Sequence, residues 1–249
     1  MFAKEDELIG IILPDQNQRL LLEKRFQINS PNEYLTFAEW CNNSSMSPRL
    51  VANLIQLYLD RNNSNVLKFD KISIQEIIEY VKLSHQFYNN HYLFRFEQLM
   101  VTSNNWICSS TVFSKLYDNI NEFIQLFRAH INWEEKHPIP YIEFLDIQLN
   151  KANFSLEECY ALIAKNNLNQ AEEHDDLQHK MLQNILKQIQ NFCLKNRFDL
   201  QWNYYYNLFK QFQQDLEIHE FIEDSVLFKK AKLIENKLNK RIEQRAILN

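Results

Sequence analysis

The chain contains a single glycine, Gly10, and this restricts its fold more than any other feature of the sequence. Tight turns between β-strands depend on glycine, because it adopts positive φ angles without strain. A sheet protein of 249 residues would need many such turns. Hydrophobic residues make up 45% of the chain, which is enough for a substantial core. The composition therefore predicts an all-α protein whose helices are joined by short polar loops.

Charge and cysteine content narrow the possible functions. The net charge is −5 and no stretch gathers Lys and Arg on a long basic face, so nucleic-acid binding is not indicated. The four cysteines are widely spaced and form no C-x-x-C pair, which disfavours a disulfide scaffold or a zinc knuckle. The start, MFAKEDEL, lacks a signal pattern, and no apolar run approaches the ~18–20 residues of a membrane span. We expect a cytoplasmic protein without a membrane or nucleic-acid partner; the oligomeric state is left open.

Helix-start signals divide the chain. TFAE at 36–39, SIQE at 73–76 and SLEE at 155–158 place a hydroxyl three residues before a glutamate, which is the spacing of a capping box. Ser47 precedes Pro48, as a capping serine precedes a proline in the first turn of a helix.

These signals predict two domains. Residues 1–65 form a small unit of short helices, with a linker at NNS 62–64, and residues 70–245 form a four-helix bundle. The predicted long helices cover about 73–100, 110–136, 170–194 and 203–240, with a shorter helix near 155–165. The two prolines of HPIPYI at 137–142 predict a break, because proline is not tolerated in a helix interior. The sequence leaves open whether 1–65 is an independent domain or an extension packed on the bundle.

Each predicted long helix carries a histidine on its apolar face. Positions three and four residues apart share one face of a helix. The four predicted faces comprise Ile78, Val81, His85 and Tyr88; Leu116, Ile120, Phe123, Phe127, His130 and Glu134; His174, Leu177, Met181 and Ile185; and Leu208, Phe212, Leu216, His219, Glu223 and Leu227. Two of the faces add a glutamate one turn after the histidine, in HINWE at 130–134 and HEFIE at 219–223. One such pair alone is usually a surface pair, and an aromatic stripe alone is usually core.

Together, the polar residues on these faces predict a metal site. A buried carboxylate is costly unless it is paired or bound to a metal. Four-helix bundles hold di-iron and di-manganese centres with His and Glu side chains from facing helices. The candidate ligands are His85, His130, Glu134, His174, His219 and Glu223. Nitrogen and carboxylate donors suit iron or manganese, and zinc is possible.

Several other acidic and imidazole side chains fall off these faces. Glu135, Glu220 and Asp224 are predicted to be solvated or to surround the ligands. His91, His137 and His179 are predicted not to be ligands, with His137 the nearest to an exception because it follows Glu134 closely.

Four segments resemble the hemerythrin-like, or HHE cation-binding, family, and are most similar to its di-iron proteins that repair iron–sulfur clusters damaged by nitric oxide or oxidants. The segments are IIEYVKLSHQFY at 77–88, FRAHINWEEKHPIPYI at 127–142, AEEHDDLQHKML at 171–182 and DLEIHEFIEDSVLF at 215–228. The resemblance implies a hemerythrin-like four-helix bundle that binds two iron ions through the six ligands named above. It further implies that Glu134 and Glu223 bridge the two ions.

The sequence departs from the family pattern in two places. Where the repair proteins carry a further histidine, this chain reads SNNWICS at 103–109. The stretch at 20–41 looks like the short helical domain that precedes some members, but its paired-cysteine motif is reduced to Cys41.

Three functions remain open, and with them whether the protein is an enzyme. The first is iron–sulfur cluster repair or iron donation to a damaged iron–sulfur protein in nitrosative or oxidative stress. The second is reversible binding of O2 or NO without turnover. The third is an interaction module with a structural metal, in which residues 1–65 dock a partner.

Overall fold

The computed structural model describes residues 4–28, 32–44, 46–60, 69–102, 111–151, 156–165, 175–195 and 200–248. Nearly all secondary structure in these ranges is helical, which confirms the all-α prediction, and the one extended pairing there is an isolated antiparallel bridge between Leu8 and Thr36. None of the helices in these ranges is long and apolar enough to cross a membrane. The predicted linker at 62–64, the segment at 103–109, the capping residue Ser155 and the candidate ligand His174 lie outside the described residues.

Twelve α-helices are described within these ranges. They are α1 Ile9–Ile12, α2 Gln16–Arg25, α3 Phe37–Asn42, α4 Pro48–Leu59, α5 Ile74–Phe87, α6 Phe94–Thr102, α7 Thr111–Lys136, α8 Pro138–Asn150, α9 Leu156–Lys165, α10 Asp175–Lys195, α11 Leu200–Ile222 and α12 Lys229–Leu248. A short 3₁₀ helix, Phe69–Lys71, precedes α5. Two π-helical turns, Tyr88–Leu93 and Glu223–Phe228, follow α5 and α11 directly in sequence.

The chain divides into two compact units, the first of which is Met1–Phe87 with Ile218–Leu227. Within it α2 packs on α5 and α3 packs on α4. Two of the predicted capping boxes form, one between Thr36 and Glu39 and one between Ser73 and Glu76. Gly10 donates its N–H to the carbonyl of Glu33, and a Cβ at Gly10 would lie 3.0 Å from that oxygen. This close approach explains the one glycine.

The second unit is Tyr88–Glu217 with Phe228–Asn249. Helix α7 packs on α6, α8 and α10, while α12 packs on α8 and α9. The core of this unit is unusually aromatic. The ring of Phe212 has five aromatic neighbours at centroid distances of 5.1–5.8 Å, and these are Tyr88, Tyr92, Phe96, Phe123 and Phe127. Because aromatic pairs at such distances are favourable, Phe212 holds α6, α7 and α11 together.

Three of the four predicted apolar faces are correct. Their hydrophobic members on α5, α7 and α11, and in the π-helical turns that follow, are buried. The face on α10 is correct only in part: Ile185 is buried as predicted, but Leu177 is 57% exposed, and the other buried side chains are Gln178, Leu182 and Ile189. These positions also follow helical spacing, but the polar Gln178 conceals the stripe when only apolar residues are counted.

The predicted break at HPIPYI is confined to His137. Pro138 and Pro140 lie in the first turn of α8, which continues to Asn150. Proline is well accommodated there, because the first N–H groups of a helix have no partner within the helix. The two prolines therefore start a helix that the sequence analysis did not predict. The proposed boundary between domains 1–65 and 70–245 stays a prediction.

Replacing Phe212 by alanine should destabilise the protein by about 3–5 kcal/mol, because it removes a ring that five others contact. Urea unfolding followed by circular dichroism measures the loss. Tyr204, which is 49% exposed, provides the control: Tyr204→Ala should change the unfolding free energy by less than about 0.5 kcal/mol. Equal losses in the two variants would mean that this aromatic cluster is not the core of the unit.

Candidate metal centre

Three candidate ligands come together in the first unit. His85 lies near the end of α5, His219 lies near the end of α11, and Glu223 is the first residue of a π-helical turn. Nε2 of His219 is 3.3 Å from Oε2 of Glu223, and Nε2 of His85 is 3.7 Å from Oε1. The two imidazole rings lie 5.1 Å apart at 71° to each other. Each carboxylate oxygen of Glu223 therefore faces a different imidazole nitrogen.

This cluster is closed to solvent. The side chains of His85, His219 and Glu223 are 1%, 3% and 7% exposed. A carboxylate that leaves water loses several kcal/mol of hydration unless a nearby positive charge or a metal replaces it. The two imidazoles beside Glu223 are good metal ligands when neutral and good ion-pair partners when protonated.

Glu134 belongs to the same group of possible metal ligands. It is buried, and each of His85, Glu134, His219 and Glu223 offers one ligand atom, with all four atoms within 4.8 Å of one another. Two nitrogen and two carboxylate donors at this spacing are sufficient to hold a metal ion. The structure thus brings together four of the six side chains that the sequence singled out.

The remaining two candidates differ. His130 lies on α7 one turn before Glu134, and its Nε2 is 3.2 Å from Oε1 of that residue. Its ring stacks on Phe127 at a centroid distance of 6.2 Å, and its side chain is 11% exposed. His130 is therefore paired with a member of the group without being a member itself. His174 lies outside the described residues.

The separations between nitrogen and oxygen are compatible with donors that share one metal ion. A hydrogen bond between an imidazolium and a carboxylate has a typical length of ~2.7–2.9 Å. Donor atoms bound ~2.0–2.2 Å from one ion stand about 3–3.5 Å from one another, depending on the coordination geometry. The pairs on α7 and at the end of α11, at 3.2 and 3.3 Å, fall in the second range, and the His85–Glu223 pair at 3.7 Å lies just above it. The donor set therefore fits a metal ion.

Local helix geometry explains how the pairs form. A spacing of four residues puts His130 beside Glu134, and His219 beside Glu223, on one side of a helix. A π-helical turn begins three residues after His85, and another begins at Glu223 itself. Such turns are rare and frequently mark functional sites, because the wider turn re-aims the neighbouring side chains. No signal that we used in the sequence predicts them.

The three histidines predicted not to be ligands lie apart from this group. His137 is exposed, its Nδ1 is 2.9 Å from the carbonyl oxygen of Trp133, and its ring stacks on the indole of that residue. His91 and His179 are half-buried. Asp224 and Glu135, which follow Glu223 and Glu134 in sequence, are exposed, as their off-face positions predict.

Cys41 is the remaining thiol of the stretch that resembles the family's N-terminal domain. It is a free, buried cysteine on α3, and burial raises the pKa of its thiol to about 12. Only the thiolate is nucleophilic or binds metals, so this cysteine is inert at neutral pH. A mechanism that uses an N-terminal thiol therefore finds no support in this side chain.

Alkylation of Cys41 by iodoacetamide at pH 8 should be roughly a thousandfold slower in the native protein than in urea, since the thiolate fraction falls by about that factor. Because the folded pKa is raised, the native rate should climb tenfold per pH unit past pH 9, where an ordinary thiol levels off. Peptide mass spectrometry follows Cys41 separately from Cys193, which is half-buried and serves as the internal comparison. Equal native and unfolded rates at pH 8 would show a reactive thiol.

Comparison of the chain with protein-family models, with curated proteins and with solved structures finds no match. The case for a metal centre therefore depends on the residues of this chain. Its main support is the buried group of His85, Glu134, His219 and Glu223, which can hold a metal ion.

Proposed function

We propose that this protein is a non-haem metal protein and that its centre is the buried His/Glu group. The observation that carries the proposal is Glu223, a buried carboxylate with a separate imidazole nitrogen facing each oxygen. A second carboxylate, that of Glu134, is also buried, and all four residues offer ligand atoms within 4.8 Å of one another. Two nitrogen and two carboxylate donors at this spacing support a bound ion.

We further propose that the centre holds two iron ions in a hemerythrin-like four-helix bundle. The ligands would be His85, His130, Glu134, His174, His219 and Glu223, with the two glutamates bridging, as the resemblance implies. The mixture of imidazole and carboxylate donors supports iron, which manganese or zinc can replace. The contact between His130 and Glu134 supports His130 as a further nitrogen donor beside the Glu134 carboxylate.

The closed environment favours small ligands. When bound, reduced iron would supply an open coordination position and the electron density that O2 or NO needs in order to bind. The chain's own residues would hold the ions and exclude water, because the ligand side chains in the first unit are 7% exposed or less. A small apolar gas such as O2 or NO would need to diffuse only between packed side chains to reach such a site, whereas a protein acceptor could not touch it. We therefore propose binding of O2 or NO in oxidative or nitrosative stress, in the cytoplasm as the sequence predicts.

Direct iron donation to a damaged iron–sulfur protein is the competing role. It would require the buried cluster to open, and the inert thiol of Cys41 offers no route for handing iron on. For these reasons we place gas binding first and cluster repair second.

Replacing Glu223 by alanine should lower iron affinity more than about 100-fold, because a direct ligand outweighs the outer-shell contacts that already contribute 10–100-fold. The matched control is Asp224→Ala, which removes the exposed neighbouring carboxylate and should leave affinity unchanged. Glu134→Ala and Glu135→Ala form a second such pair. Iron is measured by mass spectrometry after anaerobic reconstitution. Less than one ion per chain in the wild type, or equal losses within each pair, would refute the proposed centre.

Adding NO to the anaerobic ferrous protein should produce new visible absorption bands that disappear when the gas is removed, with the iron retained. Iron donation predicts a different result. Iron first bound to this protein should then be found in a damaged iron–sulfur enzyme mixed with it, and that enzyme should regain activity. A structural metal predicts neither. Bands that form while iron is lost to a chelator would favour donation over reversible binding.

A further inference from the structure

Arg25, the last residue of α2, is an arginine with almost no contact with solvent. It is 2% exposed, and arginine is rarely buried to this degree without partners. Its Nη1 donates to Ser84 Oγ at 2.8 Å and to the Tyr80 hydroxyl at 3.3 Å. Its guanidinium carbon also lies 4.9 Å from the ring centroid of Phe87, within cation–π range.

The partners of Arg25 flank a candidate ligand. Ser84 directly precedes His85 on α5, Phe87 follows it by two residues, and Tyr80 lies five residues before it. The Tyr80 ring is in turn 6.4 Å from the ring of His219. Arg25 therefore contacts α5 on both sides of His85. Through Tyr80 it also contacts a residue whose ring lies next to that of His219.

The hydrogen bonds fix α5 in rotation as well as in position. A guanidinium is planar and rigid, so its donors accept partners only in set directions. Nη1 is shared between a serine and a tyrosine four residues apart, and the serine hydroxyl also donates to the Tyr80 carbonyl at 2.8 Å. Rotation of α5 would break these contacts, and the same rotation would turn His85 away from Glu223.

We infer that Arg25 is a positioning residue for the metal centre, through which the N-terminal segment of the chain sets the direction of His85 and packs Tyr80 against His219. The inference depends on the proposed function, since it concerns the same site. It assigns α2 a role in the affinity of the centre, in place of a role confined to docking a partner.

Arg19 offers a matched control on the same helix. It is also largely buried, but its guanidinium pairs with Glu33 at 2.7 Å and donates to the Leu13 carbonyl at 3.1 Å. These contacts bind α2 to residues of the N-terminal segment and involve no ligand helix. Arg19→Met should therefore loosen this segment without turning His85.

The experiment compares the full-length wild type with Arg25→Met, Arg25→Lys and Arg19→Met. Ferrous affinity is measured by anaerobic equilibrium dialysis, coordination by the visible spectrum of the cobalt(II)-loaded protein, and stability by the melting temperature of the metal-free protein. Arg25→Met should weaken iron binding about 10–100-fold and shift the cobalt bands, as changes behind a metal ligand do. Arg25→Lys, which keeps the charge but loses the fork, should fall between Arg25→Met and the wild type.

Arg19→Met should lower the melting temperature while affinity and cobalt bands stay as in the wild type. Ser84→Ala removes one acceptor of Arg25 with little risk to folding, so it should reproduce part of the Arg25→Met effect even if that variant does not fold. Wild-type affinity and bands in both Arg25→Met and Ser84→Ala would overturn the inference while leaving the metal centre intact. The inference would also be overturned if iron affinity fell in proportion to the melting temperature, and by the same proportion in the Arg19 and Arg25 variants. A wild type that binds no metal would overturn the proposed function itself.

Discussion

The burial of the Glu223 carboxylate is the constraint around which the first unit is organised. A carboxylate this far from water must have its charge compensated, and the groups that face it are the imidazoles of His85 and His219, which can pair with it when protonated or share a metal ion with it when neutral. One imidazole is local, a single turn back along the helix, but the other comes from α5, which is more than a hundred residues away in sequence. The position of α5 is therefore tied to the end of α11, and a π-helical turn that starts at the carboxylate adapts the backbone there.

Arg25 is another buried charged residue of the first unit, and it contacts the same helix, α5. Arg25 is a buried cation, whereas Glu223 is a buried anion. Its hydroxyl and aromatic partners, Tyr80, Ser84 and Phe87, all lie on α5. On α5, His85 thus faces the Glu223 carboxylate, while the nearby Ser84 and Tyr80 accept hydrogen bonds from the Arg25 guanidinium. Because an unsatisfied buried charge costs several kcal/mol, both requirements restrict the same helix, which is the physical basis for the inferred effect of Arg25 on His85.

The parts of the site that were predictable from the sequence are those that depend on local helix geometry. The pairs His130–Glu134 and His219–Glu223 follow from a spacing of four residues, and the apolar faces of α5, α7 and α11 from simple periodicity. The face on α10 is predicted correctly only at Ile185, because a buried glutamine interrupts the apolar pattern, and α8 is not predicted because proline, which cannot continue a helix, can begin one. Arg25 gives no local sign of burial, since LLLEKR resembles any solvated helix end; its partners lie 55 and 59 residues further along the chain.

The degree of enclosure decides which chemistry the group can support. Imidazole and carboxylate ligands on a protein surface are open to many molecules, whereas ligands exposed by 7% or less have little direct contact with solvent. Low polarity around the donors also strengthens their attraction for a cation, because no water competes for the charge. Burial of the ligands would slow the loss of a bound metal, and this is the reason that the proposed function places gas binding before iron donation.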